Sequence, residues 1–305
     1  MIDRGVSDVL TRRSFVAGAT SLCGFGLMGY RSNASADTHV VHKLAAEPGK
    51  AALRGKAAQP VDIWGYNGIA PGPVLRVRQG DELRVQLRNS LHQPTTLHWH
   101  GIRIANAMDG VPVLTQEPVE PGASFDYRFV CPDAGTFWYH PHKLSSEQVA
   151  RGLHGVLIVD EKNPPQVDQD QLLVLDDWRL DENGQIHSAS FGSIGERAHG
   201  GRFGNTFTCN GSPDHQLQVK AGERVRLRFC NVANASSFAV QIAHHDAHII
   251  AIDGQPVEPF KADDGVILLS PGQRVDAMVD MTGKPGSTSK IHLLGFEQEV
   301  SVGSL

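Results

Sequence analysis

The sequence lacks an excess of positive charge, a dense cysteine pattern and any apolar run suited to crossing a membrane. Its 28 Lys and Arg residues are outnumbered by 33 Asp and Glu, which gives a formal net charge of -5 and a pI near 6.3. Nucleic-acid binding needs a basic surface, so this balance argues against nucleic acid as a partner. The apolar run at Val16–Gly29 is too short and too rich in glycine for a membrane-spanning helix.

Turn-forming residues, in contrast, are plentiful. The 305 residues include 32 Gly and 17 Pro, while hydrophobic residues make up 40% and charged residues 20%. These proportions are typical of a folded soluble protein, and the length is sufficient for two domains. Since no sustained helical stripe follows the N-terminal region, the composition favours an all-β fold with many turns.

The N-terminus carries three export signals in the expected order. Thr11–Phe15 is a twin-arginine pattern, an apolar run follows to Gly29, and Ala34-Ser35-Ala36 matches an A-x-A cleavage site. This order predicts a twin-arginine signal peptide over residues 1–36, with the mature protein beginning at Asp37. The alternative is a disordered tail with a chance arginine pair, which would have to contain all three signals by coincidence. We therefore expect export to the periplasm.

Removal of that signal peptide would leave three cysteines, Cys131, Cys209 and Cys230. In an oxidising compartment an odd number leaves at least one thiol unpaired, unless two chains are cross-linked. At most one disulfide is therefore expected within the chain, and the spacing does not select its pair.

Short strand patterns separated by turns begin near residue 60. Val74–Val77 and Glu82–Leu87 alternate or run apolar, and Gln79-Gly80-Asp81 separates them. The pattern stops at Asn163-Pro164-Pro165 and restarts at Leu172–Leu175. This interruption predicts one domain over residues 37–163 and a second over residues 164–305.

The two halves contain the same sequence pattern. The stretch LRVRQGDELRVQLRN at residues 75–89 recurs as LQVKAGERVRLRFCN at residues 217–231, an offset of 142 residues. Two turns recur as well: Asp109-Gly110 is echoed by Asp253-Gly254, and Pro121-Gly122 by Pro271-Gly272. The chain is therefore predicted to hold two copies of one β module.

One strand of the first copy carries two histidines. In an extended strand, His98 and His100 would point the same way, about 6.6 Å apart, with Trp99 on the opposite face. At the offset of 142 residues this stretch falls opposite Val240-Gln241-Ile242. Because a related strand can be built with aliphatic residues, the fold does not require the histidines, and metal coordination is the favoured explanation.

A second pair, His140 and His142, follows in GTFWYHPH and has the same spacing. The two pairs together offer four imidazoles, and imidazole suits copper, zinc, iron and nickel. A structural zinc site would favour a thiolate cluster, which is absent from this region. His98, His100, His140 and His142 are therefore the predicted metal ligands.

In these motifs the sequence resembles the multicopper oxidases, the family of laccases and bilirubin oxidases. The matching stretches are LHWHGIRIANAMDGVP, GTFWYHPHKLSSEQVARGLHGVLIV and LVLDDW. The resemblance implies two tandem cupredoxin-like, or plastocyanin-like, Greek-key β-sandwiches. It also implies that His98 binds a type 2 copper and that His100, His140 and His142 bind a type 3 pair.

The same resemblance gives Asp109 a role in moving protons to bound oxygen, since a carboxylate beside a metal cluster can donate and accept protons. The alternative is a structural one. Asp-Gly is a turn signature, and the echo Asp253-Gly254 occurs in the copy without histidine pairs.

The family also needs ligands that this sequence does not provide. Three coppers require eight histidines, and a type 1 copper requires a cysteine with two histidines; the C-terminal module supplies these in the family. The expectation is therefore that 164–305 is a shortened second domain without copper ligands and that a third domain is absent. The chain could be a fragment, a prematurely terminated reading frame or a genuine short protein.

The predicted function is laccase-like oxidation of a phenol or metal ion, one electron at a time, coupled to reduction of O2 to water. The chain alone is expected to be inactive towards phenols. The alternative is a non-catalytic, periplasmic copper-binding or cell-envelope protein on the same scaffold. Edges left exposed by an absent third module would favour self-association.

Overall fold

The computed structural model describes residues 40–198, 201–295 and 300–305. The predicted signal peptide at residues 1–36 lies outside these ranges. Strands dominate the described residues, which contain only two short α-helices, α1 (Ser145–Ala150) and α2 (Ile194–Ala198). Short 3₁₀ helices lie at Asn106–Met108, Ser188–Ser190 and Asp263–Gly265. The predicted all-β class is confirmed.

Eight strands in the first half form two four-stranded sheets, which we call the first module. They are β1 (Val41–Ala51), β2 (Val61–Tyr66), β3 (Leu75–Arg78), β4 (Glu82–Asn89), β5 (His98–His100), β6 (Ser124–Val130), β7 (Gly135–His140) and β8 (Gly155–Asp160). The sheet orders are β2-β1-β4-β6 and β3-β8-β7-β5. Alternate residues of β4, beginning with Leu83, are buried in the core, as expected for a strand with one apolar face.

The remaining strands form two larger sheets, which we call the second module. They are β9 (Gln169–Trp178), β10 (Thr206–Cys209), β11 (His215–Gln216), β12 (Arg224–Asn231), β13 (Phe238–Ile242), β14 (Ala247–Ile252), β15 (Gln255–Lys261), β16 (Val266–Leu269), β17 (Arg274–Asp280), β18 (Lys290–Leu294) and β19 (Val300–Ser304). The sheet orders are β10-β9-β12-β17-β14-β15 and β11-β19-β18-β13-β16.

The sequence repeat produces the same strand pairings twice. In the first module β1 pairs in parallel with β4, and β4 pairs antiparallel with β6. In the second, β9 pairs in parallel with β12, and β12 pairs antiparallel with β17. Residues 39–305 nevertheless form one compact unit, so the division into domains 37–163 and 164–305 stays a prediction.

The repeat loses its register between β4 and β5. The offset of 142 residues holds for buried Leu83 and Val225, but it then pairs His98, which faces out of the core, with Val240, which is fully buried. The outward-facing residues of β13 are Ala239 and Gln241, whereas Val240 packs inward as Trp99 does. The expected correspondence of the histidines with aliphatic residues is therefore wrong, because the connection to this strand differs in length between the copies.

The modules contact each other through β7, which carries His140. Trp138 of β7 packs in a small apolar cluster with Val174, Cys230 and Val232 of the second module. The Thr136 hydroxyl donates a hydrogen bond to Asp276 at 2.8 Å. The strand that ends in the second histidine pair is thus fixed from both sides.

Candidate metal centre

Strands β5 and β7 bring the two histidine pairs together. The strands pair antiparallel, and His98 lies directly opposite His140, Trp99 opposite Tyr139 and His100 opposite Trp138. Because side chains alternate along a strand, Trp99 and Tyr139 enter the core while the imidazoles of His98 and His100 share the outer face.

All four predicted ligands meet on that face. The ring centroid of His98 lies 5.3 Å from that of His140 and 5.1 Å from that of His142, and the centroids of His100 and His140 are 5.6 Å apart. Ligand atoms of His98, His100 and His140 all lie within 4.8 Å of one another. His140 Nε2 approaches His100 Nδ1 at 3.5 Å. The arrangement is compact enough for several of these nitrogens to share a cation.

Two backbone carbonyls determine which ring nitrogens are available. His98 Nδ1 donates to the Asp109 carbonyl oxygen at 2.8 Å, and His140 Nδ1 donates to the Pro141 carbonyl oxygen at 2.9 Å. A carbonyl oxygen only accepts, so the proton of each neutral ring is assigned to Nδ1. Nε2 of His98 and of His140 then keeps the lone pair that a metal needs.

The surroundings keep three of the rings neutral. Burial lowers the pKa of His100 to about 4, and the positive charge of Arg274 contributes to this shift. Burial also lowers the pKa of His140 well below its usual value and lowers the pKa of His142. These three imidazoles are therefore uncharged at neutral pH, the form that binds metals.

Asp109 lies beside the cluster, as its place in the resembling motif implies. Its Oδ1 is 3.3 Å from His98 Nδ1, and its side chain is one-third exposed. The following Gly110 has a φ of 71°, and a Cβ there would lie 1.9 Å from the Leu97 carbonyl oxygen. The Asp-Gly turn is therefore required by the close packing of the backbone, and it also places a carboxylate next to a candidate ligand.

An open pocket of about 330 Å³ adjoins the cluster, with lining residues that include His100, Trp138, His140, Val149 and Asn234. Trp138 stacks on His140 with the ring centroids 4.1 Å apart. The pocket gives a small molecule access to two of the imidazoles.

Two residues of the second module at this site were not predicted from the sequence. A Cβ on Gly272 would lie 3.2 Å from His100 Cε1, so the glycine allows close approach to the ring. The guanidinium of Arg274 lies against Gly101. The recurring Pro271-Gly272 turn indicates only that a turn exists here. No pattern within one chain shows which surface a turn contacts.

The three cysteines are unpaired and buried. Burial raises the pKa of Cys131 and of Cys230 to about 12, and it raises the pKa of Cys209 further. In the metal-free protein these thiols are therefore protonated at neutral pH. Among the described residues, the histidine cluster is the grouping suited to a metal. No helix within the described ranges is long and apolar enough to span a membrane.

Comparison with known sequences supports the family resemblance. Two family models, both described as multicopper oxidase, match residues 47–164 and residues 169–288. Laccase-2 of Cryptococcus neoformans var. grubii is 34% identical over 73% of this chain and 41% of its own length. The chain spans about half the length of the curated relatives it matches.

Solved structures agree with the sequence matches. A multicopper oxidase from Pseudomonas thermotolerans superposes with a TM-score of 0.79 and 38% identity, covering 88% of this chain and 64% of that one. A blue copper oxidase from Nitrosomonas europaea gives a TM-score of 0.74 and 30% identity, covering 87% and 84%. The predicted cupredoxin-like sandwiches are confirmed by these neighbours. The chain belongs to the multicopper oxidase family.

Proposed function

We propose that this chain holds copper through His98, His100, His140 and His142 as part of a laccase-like oxidoreductase. The observation that carries the proposal is the cluster itself, in which nitrogens of three imidazoles lie within 4.8 Å of one another. Neutral imidazole is a suitable donor for copper, and the Nδ1 hydrogen bonds of His98 and His140 leave Nε2 free for it. Bound copper would supply one-electron transfer and oxygen chemistry.

Within this proposal the histidines have separate roles. By resemblance to the family, His98 would hold the type 2 copper, and His100, His140 and His142 would hold the type 3 pair. His98 differs from the others in having Asp109 within 3.3 Å of its ring. That carboxylate is partly exposed, so it can exchange protons with solvent and pass them towards the cluster.

The substrates would be O2 and a small electron donor such as a phenol or a metal ion. The pocket beside His100 and His140 offers a small molecule a route to the imidazoles. The complete reaction of the family uses more copper ligands than these four histidines. We propose that a further module supplies the additional ligands. Val113 and Leu114, each 80% exposed on the loop after Asp109, form an apolar surface suited to self-association or to docking of such a module.

The site of action in this proposal is the periplasm, reached by the twin-arginine route. The support is the order of the three signals within residues 1–36. Fluorescent fusions expressed with both arginines intact, or with Arg12 and Arg13 changed to Lys, would test export. Retention of both fusions in the cytoplasm would contradict this part of the proposal.

Copper binding is tested by metal analysis and chelator competition on the purified chain. We expect His140→Ala to weaken copper binding by at least about 100-fold, because a buried ligand beside two others is lost. His248→Ala, which removes an exposed imidazole from β14, is the matched control and should bind like the unaltered chain. Equal affinities for all three proteins would overturn the assignment.

A second candidate, a non-catalytic copper-binding protein, is favoured by one observation. Among the described residues the grouping of potential metal ligands is His98, His100 and His140, and it contains no cysteine to serve as the thiolate ligand of a type 1 copper. Oxygen uptake with a phenolic donor separates the candidates. We expect copper-loaded chain alone to consume no oxygen, whereas adding the module that supplies the missing ligands should start turnover if the oxidase proposal holds.

A further inference from the structure

Arg274 is a buried arginine of the second module whose side chain reaches the edge of the histidine cluster. Its Nε donates to the Thr136 carbonyl oxygen of β7 at 3.1 Å. Its other nitrogens donate to the carbonyl oxygens of Gly272 at 2.9 Å and of Asp253 at 3.0 Å. One planar guanidinium therefore joins both recurring turns of the second module to the strand that ends in His140.

The same guanidinium also contacts the strand that carries His100. A Cβ on Gly101, the next residue, would lie 2.1 Å from Arg274 Nη2. Gly101 has a φ of 90°, so the chain turns away from β5 at this point. Arg274 thus packs on the backbone that sets the direction of His100.

The turn held by Arg274 lies beside the ring of His100, and both line the same pocket. The ideal Cβ position on Gly272 is 3.2 Å from His100 Cε1 and 3.5 Å from Nε2. The sister turn of the first module differs, since a Cβ on Gly122 would meet nothing within 4 Å. The Pro271-Gly272 turn of the second module therefore limits the space available to the His100 ring of the first module.

We propose that Arg274 is a positioning residue for the metal site: it joins Gly101 to Gly272 and thereby fixes the orientation of the His100 imidazole. The second module, which contributes none of the four proposed ligands, would then set the geometry of one ligand in the first. This inference rests on the proposed role of His100 in copper binding. Arg274 acts through His100 and touches no reacting atom.

The first test compares two buried arginines. Arg274→Lys keeps the charge but loses the planar fork that reaches three carbonyl oxygens. Arg228→Lys is the matched control, because Arg228 is also buried and bonds Thr136 but touches neither Gly101 nor Gly272. We expect Arg274→Lys to weaken Cu(II) binding about tenfold and to change the Cu(II) EPR spectrum, as loss of a residue supporting a ligand does. Arg228→Lys should lower thermal stability without either change.

A second test displaces the His100 ring while leaving Arg274 unchanged. It shows whether the turn at Gly272 orients His100 even if Arg274→Lys does not fold. Gly272→Ala would push on His100, whereas Gly122→Ala imposes a similar backbone strain, with a φ of 81° against 79°, in open space. In the metal-free protein, the NMR signal of His100 Hε1, assigned with His100→Gln, should shift in Gly272→Ala and stay in place in Gly122→Ala.

The outcomes separate this inference from the proposed function. An unaltered chain that binds no copper at the histidines would end the proposed function, while the metal-free NMR shifts would still decide whether Arg274 and Gly272 orient His100. A His100 signal and an EPR spectrum unchanged in both Arg274→Lys and Gly272→Ala would overturn the inference. So would equal changes in the control variants.

Discussion

The two modules share a strand plan but use it for different purposes. In the first, the outward-facing residues of β5 are His98 and His100, and they meet the imidazoles of His140 and His142. In the second, the outward-facing residues of β13 are Ala239 and Gln241. The inward faces of both strands remain apolar. The comparison teaches that the core face preserves the fold, while the outer face is free to acquire a binding site.

The recurring turns show the same division of roles. Asp109-Gly110 places a carboxylate beside His98, whereas Gly254 of the sister turn packs against Phe137 of the first module. A turn needed for folding in both copies has become part of a site in one and part of the module interface in the other. The second module therefore supports the first, and this can be tested by breaking the contacts between them.

The largest effect is expected at the buried ion pairs of Asp276 in the second module, where Asp276 also accepts a hydrogen bond from Thr136 of the first module. Asp276 accepts from Arg226 at 2.6 Å and from Arg228 at 3.2 Å, and its side chain is only 2% exposed. Removing one member of a buried network leaves a charge unpaired, so Asp276→Ala should lower the free energy of unfolding by about 3 kcal/mol. Urea denaturation followed by circular dichroism measures this change.

The control lies four residues further along the same strand. Asp280 pairs with Arg224 at 2.7 Å, but both side chains are more than half exposed. An exposed pair contributes about 0 to 1 kcal/mol, so Asp280→Ala should change stability by less than about 1 kcal/mol. If the two variants lost the same stability, burial of the Asp276 ion pairs would not be the reason that they stabilise the protein.

The next prediction tests which residues of β13 correspond to the histidines of β5. Val240→His would bury an imidazole without a partner in a full core, and we expect a loss of about 3 kcal/mol. Gln241→His places the same ring on the outer face and should cost less than about 1 kcal/mol, including the hydrogen bond from Gln241 to the Asp264 carbonyl oxygen. Thermal denaturation compares the two variants. A larger loss of stability in Gln241→His than in Val240→His would support the alignment of His98 with Val240 that the sequence offset gives.

The alignment of β5 with β13 also shows what could not be predicted from the sequence. The correspondence between β4 and β12 was predictable, because Leu83 and Val225 recur together with their turns, and both are buried. The loop after β4 covers residues 90–97 and the loop after β12 covers residues 232–237, so the offset of 142 residues aligns His98 with Val240 although they lie on opposite faces. Loop length is weakly constrained by the physics of the fold, so an offset measured on one strand does not carry over to the next.

The histidine pairs themselves were predictable for a local reason. Residues two positions apart on a strand share a face, and His98 and His100 obey this rule within β5. The same spacing predicted the second pair, although β7 ends at His140 and His142 lies just beyond it. The contacts of Arg274 and Gly272 with Gly101 and His100 join residues more than 170 positions apart. They depend on how two modules pack, which the hydrophobic pattern of either module leaves undetermined. The four imidazoles were therefore predicted from the sequence, whereas the contacts of Arg274 and Gly272 beside them were not.

The smallest effect concerns the two roles of Asp109. Its carbonyl oxygen accepts from His98 Nδ1 at 2.8 Å, whereas its carboxylate is more distant at 3.3 Å. Asp109→Asn retains the carbonyl and a residue that suits the turn, so copper affinity should stay within about threefold and stability within about 0.5 kcal/mol. Chelator competition and urea denaturation measure these quantities, with Asp81→Asn, at an exposed aspartate of the Gln79-Gly80-Asp81 turn, as the control. A tenfold loss of affinity confined to Asp109→Asn would mean that the carboxylate orients His98. Unchanged affinity would leave that carboxylate free to move protons, because the ring would then be held by the backbone alone.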